Sequence, residues 1–158
     1  MIVKIKKLYE DAVIPTYGTE KSACCDIRAY LRDDINKINK TDDGREYVDV
    51  PPHCTVTIGT GIAMEPPAGY CALIFARSGI AKKFGLAPAN KVPIIDEDYR
   101  GEWFIPIHNH SNTMKRVYNN ERITQVMFIP YEQAAFTEVE ELSKTERGAG
   151  GFGSTGTM

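Results

Sequence analysis

No stretch of the 158 residues approaches the ~20 consecutive apolar positions that a membrane-spanning helix needs. No charged, apolar and small-residue order marks the first residues as a signal peptide. Neither charge dominates: 19 Lys+Arg against 21 Asp+Glu leave a formal net charge of −2. That balance argues against broad electrostatic binding to nucleic acid or to an anionic membrane, and leaves room for a small basic pocket that takes a phosphorylated ligand. Cysteine is sparse. Cys24, Cys25, Cys54 and Cys71 form no CxxC pair, so the usual zinc and redox frameworks are not expected. A disulfide between the adjacent Cys24 and Cys25 would be strained, and free thiols in a reducing, cytoplasmic compartment are the expectation. His53, His108 and His110 match no HExxH or other ligand spacing. His108 and His110 fall on one side of an expected strand, an arrangement that suits a metal-binding pair or plain surface decoration.

What the chain does have is ordinary globular composition, 42% hydrophobic and 25% charged, enough for one core and one domain. Its 13 glycines and 9 prolines are spread along the length and separate short segments. Ile2–Lys6, Cys24–Tyr30, Tyr47–Val50, Cys54–Ile58, Tyr70–Phe75, Glu102–His108 and Arg122–Ile129 read as strands, by alternation or as short apolar runs bounded by turn formers. Pro106 points to an edge strand or a bulge. One short helix is expected from a Ser78 cap through Phe84, stopped by Gly85. Many short strands with frequent turns predict a sandwich, jelly roll or barrel.

Two stretches stand apart. Asp33–Glu46 is polar and reads as a surface loop or hairpin tip. Its Asp42-Asp43-Gly44 invites a calcium-loop reading, which fails because the position that requires Glu holds Val50. From Arg147 to Met158 the chain has glycines at 148, 150, 151, 153 and 156. So Gly-rich a tail orders itself only at a high entropic cost, which predicts a flexible lid over 147–158 beside a folded domain over 1–146.

Three clusters bear chemistry. The tail fits the GxGxxG spacing and the outer glycines of a P-loop, but both motifs need a helix after them and the sequence ends. Its useful groups are backbone N–H donors, the Ser154 and Thr155 hydroxyls, the Arg147 guanidinium and the flat face of Phe152. The segment Asn90 to Glu102 reads as a hairpin with Asp96, Glu97 and Asp98 at its turn, and a carboxylate there is placed to activate water. Ala76-Arg77-Ser78-Gly79-Ile80-Ala81 puts a cation, a hydroxyl and a glycine amide at a helix start, the makings of an anion site. No GxSxG elbow surrounds Ser78, so a serine nucleophile is not expected. Read singly, these clusters are also explained as an inert terminus, a solvated acidic turn and an ordinary helix cap.

Read together, they resemble the trimeric dUTP pyrophosphatase (dUTPase) family. Five ordered motifs carry the resemblance: Ser22 to Ile27, Ala76 to Ala81, Ile95 to Glu102 with Asn90 upstream, Arg122 to Gln125, and Arg147 to Gly156. The resemblance implies an all-β, distorted jelly roll with one short helix, assembled as a homotrimer whose active sites draw on all three subunits. It implies Mg2+-dependent hydrolysis of dUTP to dUMP and pyrophosphate. Asp96 would be the general base, and Tyr99 would pack under the deoxyribose and exclude a 2′-hydroxyl. Asn90 and the hairpin backbone would read uracil. Arg77, Ser78, Gly79 and Gln125 would hold the phosphates, with Asp26 supporting the site and the waters of the metal. In the lid, Phe152 would stack on uracil while Arg147, Gly153, Ser154 and Thr155 close over the phosphates. No direct protein ligand to Mg2+ is implied.

The chain departs from the family pattern at Cys24 and Cys25, at Ala76 where Pro is frequent, and at Pro93 where Gly is usual. Pro93 has a fixed φ and no N–H, so a backbone contact there is expected to change. The related dCTP deaminases share the fold but typically carry a second Ser where Gly79 stands, and rely on a later Glu base. A non-catalytic dUTP-binding regulator and a purely structural jelly roll are the other readings; intact Asp96, Tyr99 and Phe152 speak for catalysis.

Overall fold

Frequent turn formers keep every element short. The computed structural model describes residues 1–151. In chain order it holds β1 (Lys4–Lys7), β2 (Thr16–Tyr17), β3 (Cys25–Arg28), β4 (Asn39–Lys40), β5 (Glu46–Val50), β6 (Thr55–Ile58), β7 (Ile62–Glu65), β8 (Tyr70–Ala76), α1 (Ser78–Phe84), β9 (Leu86–Pro88), β10 (Ile94–Ile95), β11 (Ile105–Asn109), β12 (Lys115–Tyr118) and β13 (Arg122–Pro130). All strand pairs among the described residues are antiparallel. The strands form four small sheets: β1-β7, β10-β8-β13-β3-β2, β6-β11-β9 and β12-β5-β4. This is the expected all-β fold with one short helix. No helix among the described residues is long and apolar enough to cross a membrane.

Period-two alternation aims one face of several strands inward. Val48 and Val50 of β5, Ile105 and Ile107 of β11, and Val117 of β12 are buried in this way, and they join Ile27, Ile58, Ile74, Ile123 and Val126 in a single core. Trp103 lies at the centre with no exposed surface, its ring 6.3 Å from that of Phe128. Each such side chain contributes about 1.5–3 kcal/mol by leaving water.

Several strand bounds differ from expectation. β11 begins at Ile105 rather than at Glu102, although Trp103, Ile105 and Ile107 do share the buried face. Pro106 is in neither an edge strand nor a bulge, because β11 is the middle strand of its sheet. The Pro106 carbonyl accepts the Ala89 N–H at 2.8 Å, just where β9 ends, so the side of the strand that lacks an N–H faces the end of a ladder and loses nothing there. The irregularity falls instead in β13, between Arg122 and Thr124. Within Asp33–Glu46 the hairpin tip is confined to the second half, where β4 pairs with β5 across Thr41 to Arg45, and residues 33–38 form the turn that leads into it.

β8 matters most for function. It runs between β13 on one side and β10 on the other, with Ala76 opposite Thr124 and Ala72 opposite Ile95. One end leads directly into Arg77 and α1. The other lies beside the turn that follows β10.

Candidate active site

At the Arg77 end, the β3–β13 register sets Asp26 opposite Gln125. The Asp26 carboxylate is mostly buried and is shared by two guanidiniums. Arg77 Nε donates to its Oδ1 at 2.7 Å and Arg122 Nη1 to its Oδ2 at 3.1 Å. Arg77 Nη1 also donates to the Arg122 carbonyl at 3.2 Å, and Gln125 Nε2 to the Ala76 carbonyl at 3.1 Å. Asp26, Arg77, Ser78 and Gln125 thus converge with Cys24 and Arg122 on one recess of about 360 Å3. Two cations around one carboxylate leave this recess positive, in a chain that is negative overall. Burial, and then the charge of Asp26, push the Cys24 thiol above its usual range, so the cysteine is a poor nucleophile here.

Ser78 is not the helix cap. Arg77 takes the N-cap position in extended geometry, with no side-chain capping bond, and Ser78 and Gly79 open α1. No acidic side chain lies in the first turn, and Lys82 and Lys83 occupy the last. Ser78, the first residue of α1, lines the recess, and no acidic side chain of the helix's own first turn competes for its free N–H groups.

At the other end, Ile94 and Ile95 pair with Leu73 and Ala72 of β8 rather than with residues 102–104, so the acidic turn is braced by the sheet and is not the tip of a two-stranded hairpin. Asn90 sits in the turn after β9, where the Lys91 N–H reaches the Pro88 carbonyl at 3.0 Å and the Val92 N–H reaches the Asn90 carbonyl at 2.8 Å. Pro93 lacks an N–H but still serves the sheet: its carbonyl accepts the Ile74 N–H at 2.9 Å. In the turn itself Asp96 and Asp98 are exposed while Glu97 is half-buried. Asp96, Glu97 and Asp98 line a recess of about 580 Å3 with Cys71, Ile94, Tyr131 and Gln133. The Tyr99 N–H bonds to the Asp96 carbonyl at 3.3 Å, and its hydroxyl donates to the Glu102 carbonyl at 3.0 Å. The ring lies so close over Gly101 that a Cβ there would stand 2.5 Å from the Tyr99 oxygen.

Glu102, at the end of this motif, anchors the turn from behind. Its side chain is nearly buried; Oε1 accepts the N–H groups of Thr60 at 3.1 Å and Gly61 at 2.8 Å, and Oε2 pairs with Arg32 at 3.1 Å. The sequence motifs contain Glu97, Glu102 and Arg122 but assign none of them a role of its own, and Tyr131 lies outside every motif.

The two ends do not meet within one chain. Arg77 stands five positions beyond Ala72, which at about 3.3 Å per residue sets the start of the acidic turn roughly 17 Å from the arginine cluster. In the tail, Arg147 makes a local bond, Nε to the Gly150 carbonyl at 2.9 Å. Phe152, Gly153, Ser154 and Thr155 lie outside the described residues.

His108 and His110 touch, with ring centroids 4.5 Å apart, but β11 ends between them at Asn109. His108 Nδ1 is 3.0 Å from the Thr55 hydroxyl and His53 Nε2 is 2.7 Å from Asn112 Oδ1. Among the described residues, no three His, Cys, Asp or Glu side chains converge to cage a metal ion. The exposed Asp96 and Asp98 and the Asp26 carboxylate are hard oxygen groups, which suit Mg2+ carried largely by phosphate and water.

A family model described as dUTPase matches residues 44–156, which include the acidic turn, the arginine motif and the tail. The chain belongs to the dUTPase family. It is 44% identical over 156 residues to the deoxyuridine 5'-triphosphate nucleotidohydrolase of Nautilia profundicola, with 99% of each chain covered. It is 39% identical to that of Desulfitobacterium hafniense strain DCB-2, over 98% of this chain and 95% of the other. Among solved structures, the Staphylococcus bacteriophage 80alpha dUTPase with dUPNHPP superposes with a TM-score of 0.81 at 25% identity, covering 98% of both chains. A mutant dUTPase of phage phi11 of S. aureus, described with a structural Mg(II) ion, superposes with a TM-score of 0.74 at 19% identity, over 91% of this chain and 100% of the other. These likenesses bear out the dUTPase jelly-roll fold expected from the sequence.

Proposed function

We propose that this dUTPase-family chain hydrolyses dUTP to dUMP and pyrophosphate, with Asp96 activating the water that attacks the α-phosphorus. The observation that carries this reading is the pairing of an exposed carboxylate in a braced turn with a pre-formed arginine recess at the far end of the same strand. A general base must lie within about 3 Å of the water it deprotonates. The phosphates that Arg77 would hold adjoin that water, so ends roughly 17 Å apart cannot serve one substrate within one chain. A homotrimer in which the acidic turn of one copy meets the arginine recess of another resolves this.

In that assembly, Asn90 and the backbone around Pro93 would read the uracil edge, and Tyr99 would close the space a ribose 2′-hydroxyl needs. Arg77, Ser78, Gly79 and Gln125 would take the phosphates. Asp26 holds the Arg77 fork in place before substrate arrives, which removes reorganisation from the reaction. Residues 147–158 would act as a lid beside the domain over 1–146, with Phe152 on the base and Arg147, Gly153, Ser154 and Thr155 over the phosphates, excluding water. Mg2+, when bound through phosphate oxygens and a water shared with Asp26, would neutralise the triphosphate charge.

The test is to incubate the protein with dUTP, UTP, dTTP and dCTP in Mg2+ and to measure pyrophosphate and ammonia separately. Pyrophosphate from dUTP alone is expected. Ammonia from dCTP would assign deaminase chemistry instead, and dUTP binding without either product would assign a regulatory role.

A further inference from the structure

Glu97 is the member of the acidic turn that faces the protein, and the reaction as described gives it no task. Its partners come from two distant parts of the chain. Gly69, just before β8, holds φ at +77, in the left-handed region that a side chain disfavours. In that pose its N–H donates to Glu97 Oε2 at 2.7 Å, and its carbonyl accepts the Tyr131 N–H at 3.1 Å. The Tyr131 hydroxyl donates to the same Glu97 oxygen at 3.0 Å. Three residues thus close a ring of hydrogen bonds, two of them made to a carboxylate and so of the stronger kind. Arg100 Nη1 adds bonds to the carbonyls of Glu97 and Tyr99, the latter at 3.1 Å, so the turn backbone is held as well.

The ring has a direct bearing on Asp96. Glu97 is the half-buried residue between the exposed Asp96 and Asp98, so holding it fixes the turn backbone from which both carboxylates extend. Glu97, Tyr131 and Asp96 line the same recess. The bond to Glu97, then burial, then the charges of Glu97, Asp98 and Asp96 raise the Tyr131 phenol above its ordinary value, keeping it a neutral donor. Tyr131 is also the first residue after β13, at the root of the segment that runs to the tail.

We propose that Glu97 and Tyr131 are positioning residues for turnover: from the root of the C-terminal segment they hold the acidic turn so that the Asp96 carboxylate meets its water in line. This rests on the reading of Asp96 as the base. The competing role is a plain structural staple, which would alter melting temperature and leave the kcat-to-KM balance alone.

The experiment is steady-state hydrolysis of dUTP in Mg2+, with melting curves, for Glu97→Ala, Glu97→Gln, Tyr131→Phe and the combined Glu97→Ala/Tyr131→Phe. Glu97→Ala is expected to lower kcat by about 10- to 100-fold with KM little changed, because a displacement on the order of 1 Å costs that much. Glu97→Gln keeps an acceptor oxygen and should recover most of the loss. Tyr131→Phe should lower kcat by less, and add nothing once Glu97 is Ala, as for two members of one network. An unchanged kcat in Glu97→Ala, or a Tyr131→Phe effect equal in both backgrounds, overturns the proposal. Should Glu97→Ala fail to fold, Tyr131→Phe decides, since it removes a single oxygen, and an unchanged kcat again overturns it. Asp96→Asn is assayed alongside. Retained turnover there sinks the base reading itself, whereas its loss beside a normal Glu97→Ala sinks only the positioning role.

Discussion

The two ends of β8 handle charge in opposite ways. At one end, two arginines are paired with the mostly buried Asp26, so their forks are held in place within the chain itself. At the other, three carboxylates share one turn, one tied down and two left in solvent. A phosphate-binding group gains from being held rigid, because its partner has fixed geometry. A base must keep its lone pairs open, so its rigidity has to come from a neighbour. In the proposed reading, Asp26 would supply that rigidity to Arg77 by direct contact, while Glu97 would supply it to Asp96 through the backbone.

The largest effect that separates the two ends is expected from Asp96→Asn. It should lower dUTP turnover by about 10²- to 10⁴-fold, the usual range for a general base, and leave affinity for a non-hydrolysed dUTP analogue nearly intact by calorimetry. Turnover within a few-fold of the parent would remove Asp96 from the chemistry. Asp26→Asn comes next. Releasing both arginines should raise KM about tenfold with a smaller change in kcat, in keeping with the worth of hydrogen bonds to charged groups. A collapse of kcat at constant KM would move Asp26 from support into the reaction. The smallest effect is expected from Gly101→Ala, where the new Cβ would overlap Tyr99. Shifting that ring should reduce the preference for dUTP over UTP by about tenfold with little loss of melting temperature. An unaltered preference would show that Tyr99 is not the sugar filter.

The sequence exposes these two ends unequally. Arg77 and Asp96 are legible because each stands in a short local pattern of chemically suited residues, whereas Asp26 and Gln125 are reached only through the family resemblance. The Glu97–Gly69–Tyr131 ring is not, since its bonds join residues 28, 34 and 62 positions apart and no local spacing hints at them. The same holds for Glu102, which reaches back 41 and 42 positions to Gly61 and Thr60. Among the strands, β11 shows through its alternation, whereas β7 is buried at Ile62, Ala63 and Met64 in succession and has no period to read. Pro106 misled because a proline can sit in a middle strand when its N–H side faces the end of a ladder.

The central claim is that one working site takes its acidic turn and its arginine recess from different copies of the chain. The most direct test mixes two inactive variants, Asp96→Asn and Arg77→Ala, by refolding them together in equal amounts and assaying dUTP hydrolysis. If the two ends belong to different subunits, random assembly should rebuild intact sites at about a quarter of positions and restore activity in proportion. A mixture that assembles and stays as inactive as either variant alone would contradict the account, because both ends would then have to come from one chain.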